Sequence, residues 1–182
     1  MTGPSLRPGL SAALAAAAIA APAPAAITET GPGRYLCEAE PGQVVSREVS
    51  DFFRGASMAA RIRFLGAGDA AAPQIWAGLS FVLDGDRNAS VLVMAHPQSP
   101  RYLWVVLDPP GGEESGWLAQ LRRESVVEIS ATMARGAIFA RTGDQRGQIR
   151  VDDSRLTGRL IVCSSGRFEI ELTRSPRRPR RL

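Results

Sequence analysis

Lysine is absent from this sequence: all 22 basic side chains are arginine. Asparagine occurs once, at Asn88, and histidine once, at His96. There are two cysteines, and aromatic residues make up only 6% of the 182-residue chain. Each scarcity excludes something. With one histidine, a Ser-His-Asp or Cys-His centre has to use His96, which Pro97 follows in a polar loop between two apolar runs, the setting of a solvent-exposed turn. No Gly-x-Ser-x-Gly elbow presents a strained nucleophile. Two thiols and one imidazole do not supply a zinc set at suitable spacing. The Gly111-Gly112 pair follows two prolines and opens no lysine-bearing helix, so no phosphate-cradling loop is present. Asp84-Gly85-Asp86-Arg87-Asn88 offers oxygens as a calcium loop does, but Ala89 and Ala95 stand where glycine and a bidentate glutamate belong. The stretch reads as a hairpin turn, for which Asp-Gly is a favoured dipeptide. No cofactor or metal is implied.

The missing lysine has no protein-level cause, because arginine and lysine both solvate an exposed face. A bacterial coding sequence very rich in G and C produces it, so the choice of arginine over lysine carries little functional meaning at any one position. In such a chain the acceptor triplet Asn88-Ala89-Ser90 is an accidental match to a glycosylation signal.

What is present begins with a leader. Arg7, the small apolar run from Leu10 to Ala21 and then Pro22-Ala23-Pro24-Ala25 have the layout of a secretory signal peptide, residues 1–25, with Ala23 and Ala25 as the small residues before the cut. The run is shorter than the roughly 20 residues that span a bilayer. The sequence therefore predicts export to the periplasm or the medium. In an oxidising compartment the even pair Cys37 and Cys163 reads as a disulfide. Such a bond brings the first and last thirds of the chain together.

The rest of the chain runs on a period of two. Arg61-Ile62-Arg63-Phe64 and Arg167-Phe168-Glu169-Ile170-Glu171-Leu172-Thr173 alternate charged and apolar residues, with Phe168, Ile170 and Leu172 on a core face. Val127, Ile129, Ala131 and Met133 make a second such face, and Leu156, Leu160 and Val162 a third. Turn residues recur every 8 to 15 positions or so, the rhythm of a sandwich or barrel. Three runs, Ile75 to Leu83, Ser90 to Ala95 and Tyr102 to Leu107, are apolar on both faces and read as a meander in the middle of a sheet. One helix is expected: Ser115 can cap Gly116 to Arg123, with Trp117 and Leu121 four apart. The expected fold is an all-β antiparallel sandwich of jelly-roll or lectin-like type, residues 26–173, with at most one short helix. Residues 174–182, rich in arginine and proline, read as a disordered tail.

Charge divides along the same lines. The overall net charge is +4, but the stretch from Ala26 to Thr173 holds sixteen arginines against all eighteen acidic residues. The expected domain is mildly acidic, and the basicity belongs to the leader and the tail.

Three function classes remain. The first is a non-enzymatic binding or envelope-accessory domain with a protein or glycan partner, acting through Tyr102, Trp104 and Trp76, because planar rings on a sheet surface stack on sugars or apolar partners. The competing assignment of those rings is the core. The second is a glycan or ester hydrolase using Glu169 and Glu171, which lie i, i+2 on one strand and hence about 7 Å apart; Arg167 and Thr173 on that side give the same face the composition of a solvated surface. The third is polyanion binding, to anionic lipid or nucleic acid, through Arg174, Arg177, Arg178, Arg180 and Arg181.

Overall fold

The computed structural model describes residues 25–53, 55–66, 75–95, 101–110, 115–123, 125–151 and 154–174. Residues 1–24, which hold most of the expected leader, and His96, Glu113, Glu114, Asp152, Asp153, Arg177, Arg178, Arg180 and Arg181 lie outside the described residues. In chain order the strands are β1 (Ala26–Gly31), β2 (Arg34–Glu38), β3 (Val44–Glu48), β4 (Ser57–Gly66), β5 (Ile75–Leu83), β6 (Arg87–Ala95) and β7 (Tyr102–Asp108). They continue as β8 (Gly116–Arg122), β9 (Val127–Ala134), β10 (Ala137–Thr142), β11 (Gln145–Arg150), β12 (Leu156–Ser164) and β13 (Arg167–Leu172).

The strands form two antiparallel sheets, one ordered β1-β2-β13-β4-β9-β10-β11 and the other β3-β12-β5-β6-β7-β8. This is the antiparallel two-sheet sandwich that the alternation demands. A strand with one apolar side has to bury that side, and a second sheet does so for many strands at once. Met58, Ile62, Phe168 and Ile170 from the seven-stranded sheet meet Leu79, Phe81, Val91, Leu103 and Ile161 from the six-stranded one in a single core. Val127, Ile129 and Ala131 join it fully buried, with Met133 at its margin.

The three apolar runs are neighbours, β5-β6-β7, at the centre of the six-stranded sheet. Their register is continuous: Trp76 lies opposite Met94, which lies opposite Trp104. The Asp-Gly turn between β5 and β6 is a short 3-10 turn, Asp84–Asp86, in which Gly85 takes a φ of 70°.

Cys37 on β2 and Cys163 on β12 are joined, with Cα atoms 6.5 Å apart and both residues fully buried. The bond crosses from one sheet to the other. It also lies beside the pairing of β2 with β13, so both ends of the chain meet at one place. Such a bond belongs to an oxidising compartment. Among the described residues no helix is long and apolar enough to cross a membrane.

Two local expectations are corrected. The segment expected to be a helix is strand β8, paired with β7 from Tyr102↔Arg122 to Leu107↔Gly116. The four-residue spacing of Trp117 and Leu121 survives as a bulge at Leu118, which puts Trp117 outward and leaves Ala119 and Leu121 against the core. The deciding term is the edge of β7: a strand apolar on both faces leaves its N–H and C=O groups unpaired unless another strand takes them, and burial without partners is costly. The second correction concerns β12. Ile161 and Cys163 face the core, while Leu160 and Val162 are on the other side of the sheet. A register shift between Leu156 and Gly158 breaks the phase, so Leu156 packs inward although Leu160 and Val162 do not.

Candidate ligand-binding face

The two outer faces of the sandwich differ in kind. On the seven-stranded sheet, Arg34, Glu171, Arg61 and Glu128 stand opposite one another across β2, β13, β4 and β9. They form ion pairs Arg34–Glu171 at 3.3 Å and Arg61–Glu128 at 2.8 Å. Arg63–Glu169 at 3.5 Å and Arg167–Glu38 at 2.8 Å continue the ladder in the adjacent rows. All eight side chains are substantially exposed. The depression over them, about 460 Å³, is lined by Arg34, Arg61, Arg63, Val126, Glu128, Glu169 and Glu171. Glu169 and Glu171 thus share a face as expected, but each is held by its own arginine. The arrangement is that of a solvated, ion-paired sheet surface.

The outer face of the six-stranded sheet is apolar and aromatic. One row reads Ser164, Trp76, Met94, Trp104, Gln120 across β12, β5, β6, β7 and β8. The next reads Val162, Gly78, Leu92, Val106, Trp117. Tyr102 flanks Trp104 two residues away on β7, opposite Arg122. Trp76, Met94 and Trp104 are half-buried, while Tyr102 is 40% exposed and Trp117 60% exposed. The rings of Trp104 and Trp117 are 3.7 Å apart between centroids and nearly perpendicular, at 77°. This edge-to-face contact fixes both planes.

Gly78 lets this face form. A Cβ there would run into the Val91 carbonyl oxygen and sit 2.9 Å from the Leu92 Cα. With glycine in place, Leu92 lies over the backbone of β5 and is almost fully buried despite facing away from the core. Trp76 and Trp104 are two strands apart, hence separated by roughly 10 Å along the row. That is about the length of two linked sugar rings.

The structure therefore brings together Tyr102, Trp104 and Trp76, and none of them points into the core between the sheets. Sequence reasoning missed Trp117, because a helix was expected there, and with it Gln120 and Arg122. The signal that could have found them was the demand of β7 for an edge partner. Of the tail residues, Arg174 is described and exposed; it pairs with no acidic group among the described residues. Among the described residues no group of three His, Cys, Asp or Glu side chains converges as metal ligands do.

No family model matches the sequence, and no curated protein matches it. Some solved structures are loosely similar to it. A carbohydrate-binding module, CBM66, from Bacillus subtilis is 8% identical, with a TM-score of 0.47 over 82% of this chain and 89% of that one. A native glycosidic hydrolase is 11% identical, with a TM-score of 0.47 over 80% of this chain and 77% of that one. The galectin LEC-6 of Caenorhabditis elegans is 12% identical, with a TM-score of 0.40 over 78% of this chain and 96% of that one. The ligand question rests on this chain's own side chains.

Proposed function

We propose that this protein is an exported, non-enzymatic binding domain, periplasmic or secreted, that holds a glycan on the outer face of its six-stranded sheet. One observation carries the reading. The chain has three tryptophans, Trp76, Trp104 and Trp117, and all three lie on that single outer face, while the rings of the core are phenylalanines and Tyr35. Tryptophan is the largest apolar side chain, so a fold seeking stability alone places it inside. Rings held in fixed planes on a surface stack on the apolar faces of sugars with little further loss of rotamer freedom. The opposite face is occupied by Arg–Glu pairs and carries no tryptophan. The leader and the cross-sheet disulfide support the export part of the reading.

Because every tryptophan lies on this face, its fluorescence reports on the site alone. Titration of the purified protein with cell-envelope and plant oligosaccharides is expected to shift or quench the emission saturably. Replacing Trp104 with Ala removes an anchoring ring, at a cost of about 2 kcal/mol or roughly thirtyfold in affinity. An emission that changes only with protein concentration, together with a dimer that Trp104→Ala dissociates, makes the face a self-association surface and overturns the glycan reading.

A further inference from the structure

We infer that the glycan held on this face is acidic, its carboxylate or sulfate group set on Arg122; the inference rests on the reading of the aromatic face as a glycan platform. The register assigns every outward strand position of the six-stranded sheet. Charged side chains occupy three of them among the described residues: Glu48, Asp108 and Arg122. Glu48 lies opposite Leu160 on the far edge strand. Asp108 lies opposite Ser90, one row beyond Val106, and accepts a hydrogen bond from the Ser115 hydroxyl at 3.0 Å. Neither acid is in the rows that carry the tryptophans. Arg122 is at the opposite end, directly across from Tyr102 and two residues from Gln120, the neighbour of Trp104.

The four arginines of the ladder on the other sheet each hold a glutamate. Arg122 is exposed and has no ion pair among the described residues. Arg101, also exposed, precedes Tyr102 and places a second cation at the same end of the sheet, where its carbonyl accepts the Arg123 amide at 3.0 Å. Arg123 itself is engaged over the Phe64 ring, 4.2 Å from its centroid. A ring stacked on Tyr102 and Trp104 thus presents its substituents to Arg122, with Arg101 close by and, among the described residues, to no carboxylate on those rows.

A neutral sugar would have to be recognised through hydrogen bonds to its hydroxyls, and these rows offer few partners. Gln120 is exposed, but the Ser164 hydroxyl is buried and bonded to that of Ser165 at 3.1 Å. Charge is therefore the main polar term available for specificity. A guanidinium meets a carboxylate or a sulfate through paired N–H donors. The absence of lysine from the whole chain means that the positive charge, rather than the guanidinium shape, is what the position certifies.

The experiment uses the full chain and three oligosaccharides of matched length: a hexuronate, a sulfated glycan and a neutral glycan. Acidic glycans are expected to bind at least about tenfold more tightly than the neutral one, with affinity falling as salt screens the contact. Arg122→Gln is expected to remove that preference, Arg122→Lys to restore part of it, and Arg150→Gln, at an exposed arginine on the other sheet, to leave it unchanged. The hexuronate and sulfate arms identify which anion the site takes. Should Arg122→Gln fail to fold, the salt dependence of the unaltered protein and the Arg122→Lys affinities still decide. Equal binding of neutral and acidic glycans, untouched by Arg122→Gln, overturns the inference and leaves the platform standing. Binding of none of the three overturns both.

Discussion

Gly78 shows how a single residue shapes the candidate site. Its missing side chain leaves room for the Val91 carbonyl and lets Leu92 lie over the β5 backbone, in the row beside Trp76 and Trp104. Gly78→Ala is expected to cost about 1–3 kcal/mol of stability through overpacking. A thermal melt followed by tryptophan emission checks it, because the same substitution disturbs the row adjoining Trp76 and Trp104. Tyr35 offers a second test at this scale. It is buried beneath Arg47, whose guanidinium is 5.2 Å from the ring centroid. Burial first, and then the charge of Glu29, hold its phenol above the ordinary value of 10.0, with Arg47 pulling the other way. The unfolded chain therefore releases this proton at lower pH than the folded protein. Below pH 10 both states keep it and Tyr35 adds no pH dependence; above, stability falls as pH rises. Denaturant unfolding at stepped alkaline pH, with phenolate absorbance followed alongside, is expected to show Tyr35 ionising at higher pH in the folded protein than in the unfolded chain.

At the scale of the element, β8 and the ion-pair ladder make opposite points. The helix expected at Gly116 to Arg123 rested on a local spacing, and the strand was decided by β7, whose apolar faces and open edge needed a partner. The ladder was legible from its alternation alone, since charged residues every second position on β13 and β4 can only face water. Exposed pairs of this kind contribute little, so Glu169→Gln and Glu171→Gln are each expected to change stability by less than about 1 kcal/mol. Both variants are expected to leave glycan binding unchanged. A loss of binding in either, with the melting temperature unmoved, would transfer the site to the seven-stranded sheet.

For the molecule as a whole, the cross-sheet disulfide is the main covalent constraint on the unfolded chain. Its cysteines are 126 residues apart in sequence. A loop of that length loses enough freedom on closure for the bond to stabilise the fold by about 4–5 kcal/mol. Unfolding in denaturant with and without reductant measures it. Cys163 also lies opposite Ala77, next to the pairing of Ser164 with Trp76, so the bond anchors β12 and β5 under one end of the tryptophan row. Reduced protein is therefore expected to lose glycan affinity before it loses its β-sheet signal, a difference that fluorescence and far-ultraviolet circular dichroism together resolve.

The sequence by itself determined the all-β class, the cysteine pairing, the central meander and the sorting of charged from apolar sides on β4 and β13. Those features follow from local alternation and from the small number of cysteines, and neither depends on which strand is whose neighbour. Only the tertiary structure decided that Trp76, Trp104 and Tyr102 face outward, that Trp117 joins them from a strand, and that Arg122 stands beside Tyr102. In a strand apolar on both sides, period two assigns residues to two faces without saying which face the second sheet covers. That choice is made by packing across the whole sandwich, where Leu103, Val105 and Leu107 meet the core and leave the rings to the surface.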